Sequence, residues 1–239
     1  HLRKLAVAGN VAAAVFGDVS AEQVRDEAEN LLARLPEGRR PSLPGLTATP
    51  SLPARVERRE PREQAVVLAG FPGVALTDPR ADSLSILHYA LSGLSSDLAD
   101  DVREKRGLAY YVGAYNQVGV EPGAFVFYAG TREDAVPEVL SSYEKEIERL
   151  TKNGLRAEEI ERARNQIVAD FEMQTQENLA LALNCALDEL YGLGYAHTLQ
   201  TRERFSRLTA EDIRAAAASV LSTNRMAVSV VLPAGEAEK

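Results

Sequence analysis

The residues able to do chemistry gather in one short stretch of this 239-residue chain, Asp101-Val-Arg103-Glu-Lys-Arg106-Gly107-Leu-Ala-Tyr110-Tyr111. An arginine guanidinium carries a permanent charge and five N–H donors in a fixed fork, and a phenol adds one O–H donor. Held together, Arg103 and Tyr110 can grip a peptide carbonyl or stabilise negative charge developing on it. A second reading stands beside this one: Arg103 and Arg106 balance Asp100, Asp101 and Glu104 near a helix C-terminus.

Other chemistry is missing. The histidines are His1, His88 and His197, with no second His or Cys at metal-ligand spacing beside any of them. His88, between Leu87 and Tyr89, reads as a structural imidazole, and His197 as a helix start. Cys185, in Leu181-Ala-Leu-Asn-Cys-Ala-Leu, reads as a packed thiol rather than a nucleophile. There is no G-x-S-x-G, Walker A or G-x-G-x-x-G segment. The chain has no parts of its own for metal, Ser or Cys hydrolysis, and no cofactor is expected on it. Lys and Arg total 27 against 35 Asp and Glu, which argues against a nucleic-acid partner. No apolar run reaches the ~20 residues of a membrane span. A soluble protein is expected, with cytoplasm and periplasm both open.

The elements that must position Arg103 and Tyr110 follow from spacing. Val11–Phe16 reads as a buried strand and Ser20 caps a helix with an apolar stripe through Val24, Ala28, Leu31 and Leu32. Six prolines crowd residues 36–62, an extended connector. Ala65–Phe71 reads as a buried strand, and Asp78-Pro79 starts a long helix through Leu84, Leu87, Leu91, Leu94, Leu98 and Val102 to about Lys105. Gly107 reverses the chain into a hairpin, Tyr110–Val118 with Phe125–Ala129. Thr131 and Asp134 cap the next helix, which stops at Asn153-Gly154. Helices from Leu155 and through Leu179, Leu183, Leu187 and Leu190 follow, then one capped by Thr209-Ala-Glu-Asp212, then a strand at Met226–Leu232. The fold class is α+β, a roughly five-stranded, largely antiparallel sheet with helices mainly on one face. The expected organisation is a strand–helix opening unit (1–35), the connector (36–62), a main α+β substrate-binding domain (63–233) and a tail (234–239). The opening His1-Leu-Arg-Lys-Leu, with no signal-like segment, reads as the middle of something longer, so 1–35 is expected to continue an upstream domain.

Arg103-Glu-Lys-Arg-Gly-Leu-Ala-Tyr110 resembles the R-E-x-x-G-L-A-Y segment of the insulinase/pitrilysin-like zinc metallopeptidases, in their C-terminal, non-zinc domain. Gly17-Asp18-Val-Ser, Gly70-Phe71, Leu91-Ser-Gly-Leu-Ser-Ser96, Leu155-Arg-Ala-Glu-Glu-Ile-Glu-Arg-Ala and Leu208-Thr-Ala-Glu-Asp-Ile213 occur in the family's order. The resemblance implies half of a clamshell around a closed chamber. The facing half, upstream in the same chain or a separate subunit in a homo- or heterodimer, would carry zinc on H-x-x-E-H. Arg103 and Tyr110 would hold an extended peptide substrate near that zinc. H-x-x-E-H is absent here, so the chain is expected to be inactive alone. Asp97 departs from the Arg that many relatives carry after the Ser pair. The alternative is a structural or assembly subunit that kept the fold and lost the chemistry.

Overall fold

The computed structural model describes residues 5–42, 51–93 and 96–234. Five strands form one sheet: β1 (Ala54–Glu60), β2 (Ala65–Pro72), β3 (Ala109–Gln117), β4 (Ala124–Thr131) and β5 (Ala227–Pro233), in the order β1-β5-β2-β4-β3. All pairings are antiparallel except β1 with β5. The α+β expectation is met. The helices are α1 (Ala21–Leu32), α2 (Ala81–Leu91), the single turn α3 (Asp97–Ala99), α4 (Val136–Lys152), α5 (Ala157–Gln174), α6 (Asn178–Tyr191), α7 (Thr201–Arg207) and α8 (Ala210–Val220).

The chain divides into two compact units. The larger, residues 50–167 and 205–239, holds the sheet, with α2 and α4 packed against it and α8 packed against those two helices. Strand β2 alternates buried and half-buried residues, the pattern of a strand with one face in a core. Phe127 is fully buried, its ring 6.2 Å from Phe71, 5.7 Å from Phe125 and 5.4 Å from Tyr143. Glu159 is buried too. It accepts from Arg149 Nη2 at 3.0 Å and from the Arg156 backbone N–H at 2.7 Å. Burial pushes this carboxyl up, but the hydrogen bonds from Arg149 and Arg156 outweigh it and hold the group below its ordinary range.

The smaller unit falls in residues 5–42 and 168–204 of the described chain. Ser20 caps α1 by accepting from the Gln23 N–H, as its spacing predicts, and Cys185 is buried, which raises its thiol pKa. Yet no residue of α1 is buried, and Leu179 and Leu183 of the expected apolar stripe are exposed.

Five local expectations need correction. Val11–Phe16 is not a strand, because no described strand pairs with it. The long helix breaks after Leu91, since Gly93 adopts a left-handed φ of 82° that no right-handed helix continues; Leu94 lies outside the described residues. Asp78 accepts from the Arg80 N–H in the turn before α2 instead of capping the helix, and Thr131 donates to the Leu108 carbonyl instead of capping α4. The proline-rich stretch carries β1, an edge strand exposed along its whole length. Its charged sequence gave no apolar alternation to read. Of the expected tail, residues 235–239 lie outside the described residues.

Two measurements check this packing. Phe127→Ala should lower unfolding free energy by about 3–5 kcal/mol in urea titrations, the range for a fully buried aromatic. Glu159→Ala should cost about 3 kcal/mol at pH 7, because Arg149 is left with Glu146 and a long contact to the Gly154 carbonyl, and the Arg156 N–H loses its acceptor. Glu159's folded pKa is lowered, so its contribution is complete above 4.5 and is lost as pH falls through the folded value. The variant should therefore lose less stability than wild type below pH 4.5.

Candidate functional site at the helix-to-strand corner

After α3 the helix widens into a π-helical segment, Asp100–Lys105, that carries Arg103. Its C-terminus closes through Arg106 N–H to Asp101 O (3.2 Å), Gly107 N–H to Arg103 O (3.1 Å) and Leu108 N–H to Val102 O (2.8 Å). Gly107 takes a left-handed φ of 58°, and Val102 and Leu108 are both buried. This is a Schellman-type stop, a left-handed glycine with an apolar contact across it, opened by the extra residue of the π turn. The corner is pinned to the end of β4: Thr131 Oγ1 donates to Leu108 O, and Arg132 Nη1 approaches Gly107 O at 3.4 Å. Ser92 Oγ donates to Ala114 O at 2.6 Å and ties the end of α2 to β3.

Strand β3 then pairs irregularly with β4. Ala109 lies opposite Thr131 and Tyr111 opposite Gly130, so Tyr110 is the extra residue of a β-bulge. A bulge turns its extra side chain out of the ladder, and Tyr110 is 76% exposed. It lines a small cleft with Gly107, Ala109, Arg132 and Glu133.

The cations of the segment are not equivalent. Arg106 is committed, with Nη2 2.7 Å from Glu138 Oε2 and Nη1 2.8 Å from Ser142 Oγ, which fasten the segment to α4. Lys105 Nζ lies 2.6 Å from Asp100 Oδ2. Arg103 meets only Glu104, Nε to Oε1 at 3.4 Å, and among the described residues its guanidinium makes no hydrogen bond. The Tyr110 hydroxyl makes none there either. The charge-balance reading thus holds for Arg106 and Lys105 and leaves Arg103 nearly unused. Arg103 and Tyr110 stand on either side of the Gly107 reversal, and no hydrogen bond joins them. Asp97 sits at the start of this segment, its Oδ2 2.5 Å from Arg156 Nη2.

Sequence reading missed Arg132 beside Tyr110. Its signal was hairpin register, since counting outward from the 118–123 turn places Thr131 opposite Tyr110 and Arg132 next along the chain, before the bulge moves Thr131 opposite Ala109. It also missed a tyrosine row, Tyr111, Tyr128 and Tyr115, with ring centroids 6.1 and 6.0 Å apart. His88 is largely buried, and desolvation lowers its imidazole pKa. Among the described residues no group of three or more His, Cys, Asp or Glu side chains is arranged to hold a metal ion, so these residues do not fit the family's zinc. No described helix is long and apolar enough to cross a membrane.

Comparison with known proteins decides the family. The description "peptidase M16 inactive domain" matches residues 2–167. The chain belongs to this family. An uncharacterized zinc protease of Streptomyces coelicolor is 36% identical over 172 residues, 72% of this chain and 37% of that protein. One from Mycobacterium leprae is 29% identical over 225 residues, 91% of this chain and 48% of that protein. The chain thus spans less than half the length of these relatives. Among solved structures, the peptidase M16 inactive domain from Pseudomonas fluorescens superposes with a TM-score of 0.77 at 22% identity, over 92% of this chain and 52% of that one. A protease from Helicobacter pylori gives 0.73 at 18%, over 91% and 53%. At these identities the structures show a shared fold.

The unequal commitment of the two arginines is measurable by chemical denaturation. Arg106→Ala should lose about 1–2 kcal/mol, from its bonds to Glu138 and Ser142. Arg103→Ala should stay within about 0.5 kcal/mol of wild type.

Proposed function

We propose that this inactive M16 domain is the substrate-clamping half of a zinc metalloendopeptidase whose zinc is carried by a partner half. The observation that carries the reading is that Arg103 and Tyr110 are exposed, unspent donors in a corner whose other polar groups are largely paired. Two irregularities of the backbone present them, a π-helical turn and a β-bulge, devices frequent at functional sites because they re-aim a side chain at a local cost in regularity.

The partner's zinc would polarise the scissile carbonyl and activate water. This chain's residues would bind and orient the peptide. An extended peptide offers a carbonyl at every residue, and Arg103's fork can donate to one without first breaking a strong ion pair. Tyr110 can donate to a second. Donors aimed at backbone rather than side chains imply broad specificity. The outer edge of β3 lies beside Tyr110, and pairing along a strand edge likewise depends on no particular side chain.

The test is titration of the chain with a fluorescent, unstructured peptide. Arg103→Ala and Tyr110→Phe should each raise Kd by about tenfold, the loss of one charge-assisted or neutral hydrogen bond. Unchanged affinity in both variants contradicts the clamp. No affinity in the wild-type chain favours the assembly-subunit alternative.

A further inference from the structure

Beyond the bulge at Tyr110 the alternation of β3 is regular. Val112 and Ala114 turn into the core, and Tyr111, Gly113 and Tyr115 turn to the other face of the sheet. Across the ladder they stand beside Gly130, Tyr128 and Val126 of β4, and these beside Val66, Leu68 and Gly70 of β2. None of these positions carries a charge.

Two of the rings lie down on glycines. A Cβ on Gly130 would collide with the Tyr111 ring, and one on Gly113 with the Tyr128 ring. Both glycines are buried beneath them. Tyr128 thus reaches out over the edge strand and lies between Tyr111 and Tyr115, 6.1 and 6.0 Å from them by ring centroids. Tyr111 spends one ring face on Gly130 and still remains exposed, whereas Val126, one strand further in, is buried.

This surface adjoins the clamp. A peptide paired along the outer edge of β3 turns alternate side chains onto the same face, so the residue opposite Tyr111 falls beside its ring. Ser92 Oγ occupies the Ala114 carbonyl, which ends the free edge just past Tyr111. We propose that Tyr111, backed by Tyr128, is a specificity-determining residue. It selects, among the peptides held by Arg103 and Tyr110, those with a bulky apolar or aromatic side chain beside the clamped carbonyl. A large uncharged side chain buries area against the ring at no cost in lost charge hydration. A lysine or arginine would meet the ring face without a carboxylate on these rows, and would give up water to do so. The inference rests on the peptide clamp proposed above and adds a side-chain preference to binding that is otherwise backbone-directed.

The test is titration of the protein with fluorescent Ser/Thr peptides that are identical except for one central Phe, Leu, Ala or Lys. The Phe and Leu peptides should bind about tenfold more tightly than the Ala peptide, as partial burial of a large apolar side chain requires. The Lys peptide should bind no more tightly than the Ala peptide. Tyr111→Phe should keep the Phe-to-Ala ratio, because the ring and not the hydroxyl makes the contact. Tyr111→Ser should bring that ratio within about twofold of unity. Arg103→Ala should weaken all four peptides and leave the ratio as it was. Equal affinity for the Phe and Ala peptides in the wild-type protein overturns the inference, whether or not Tyr111→Ser folds, and leaves the clamp standing. Tighter binding of the Lys peptide overturns it too, as does a full ratio in folded Tyr111→Ser. Failure of the clamp shows differently, as peptide affinities unmoved by Arg103→Ala and Tyr110→Phe. Absence of binding by every peptide overturns both.

Discussion

The geometry of the corner depends on one requirement: the chain must leave a helix and enter an edge strand while Val102 and Leu108 stay in the core. The Leu108 N–H to Val102 O bond and the Thr131 hydroxyl on Leu108 O fix both sides of that passage. With those points held, the residues between them have little freedom. An extra residue is absorbed by widening the helix around Arg103, and another is expelled from the ladder at Tyr110. Both side chains then point out of paired structure. Arg106, three residues on from Arg103, falls where α4 supplies Glu138 and Ser142, and is spent on holding the segment down.

The two units differ in what stabilises them. In the larger, the aromatic cluster around Phe127 and the layer formed by α2, α4 and α8 exclude water from one face of the sheet, and the Glu159 network locks α4 to the start of α5. Burial of this kind supplies most of the favourable free energy of a domain. The smaller unit keeps good local signals, such as the Ser20 cap, without comparable burial. Its order in isolation should accordingly be lower, and a neighbour that covers its apolar residues adds the missing term.

How much of this was legible in sequence depended on where each signal came from. The hairpin, β2, β5 and the Thr209–Asp212 capping box were readable because alternation and caps are local. Strand β1 was not, because an edge strand exposed on both faces has no apolar period. The break at Gly93 was missed because leucines keep helical spacing across it, and periodicity does not register one left-handed residue. Val11–Phe16 has the composition of a strand, but composition cannot supply the partner strand that would make it one. At the corner, Arg103 and Tyr110 were visible by type and by family resemblance. The bulge, the π turn and the division of labour between Arg103 and Arg106 were not, since they arise from contacts with α4 and β4 that lie about 20 to 40 residues away in the chain.

The most direct measurement of the central claim is nuclear magnetic resonance of the isotopically labelled chain titrated with an extended peptide, following backbone amides and arginine side-chain Nε–H signals. Saturable shifts at the Arg103 Nε–H, the Tyr110 amide and the neighbouring residues of β3, with β1 unaffected, are the predicted result. Shifts centred on β1 or spread over the smaller unit, with the Arg103 and Tyr110 signals unmoved at saturating peptide, would contradict it.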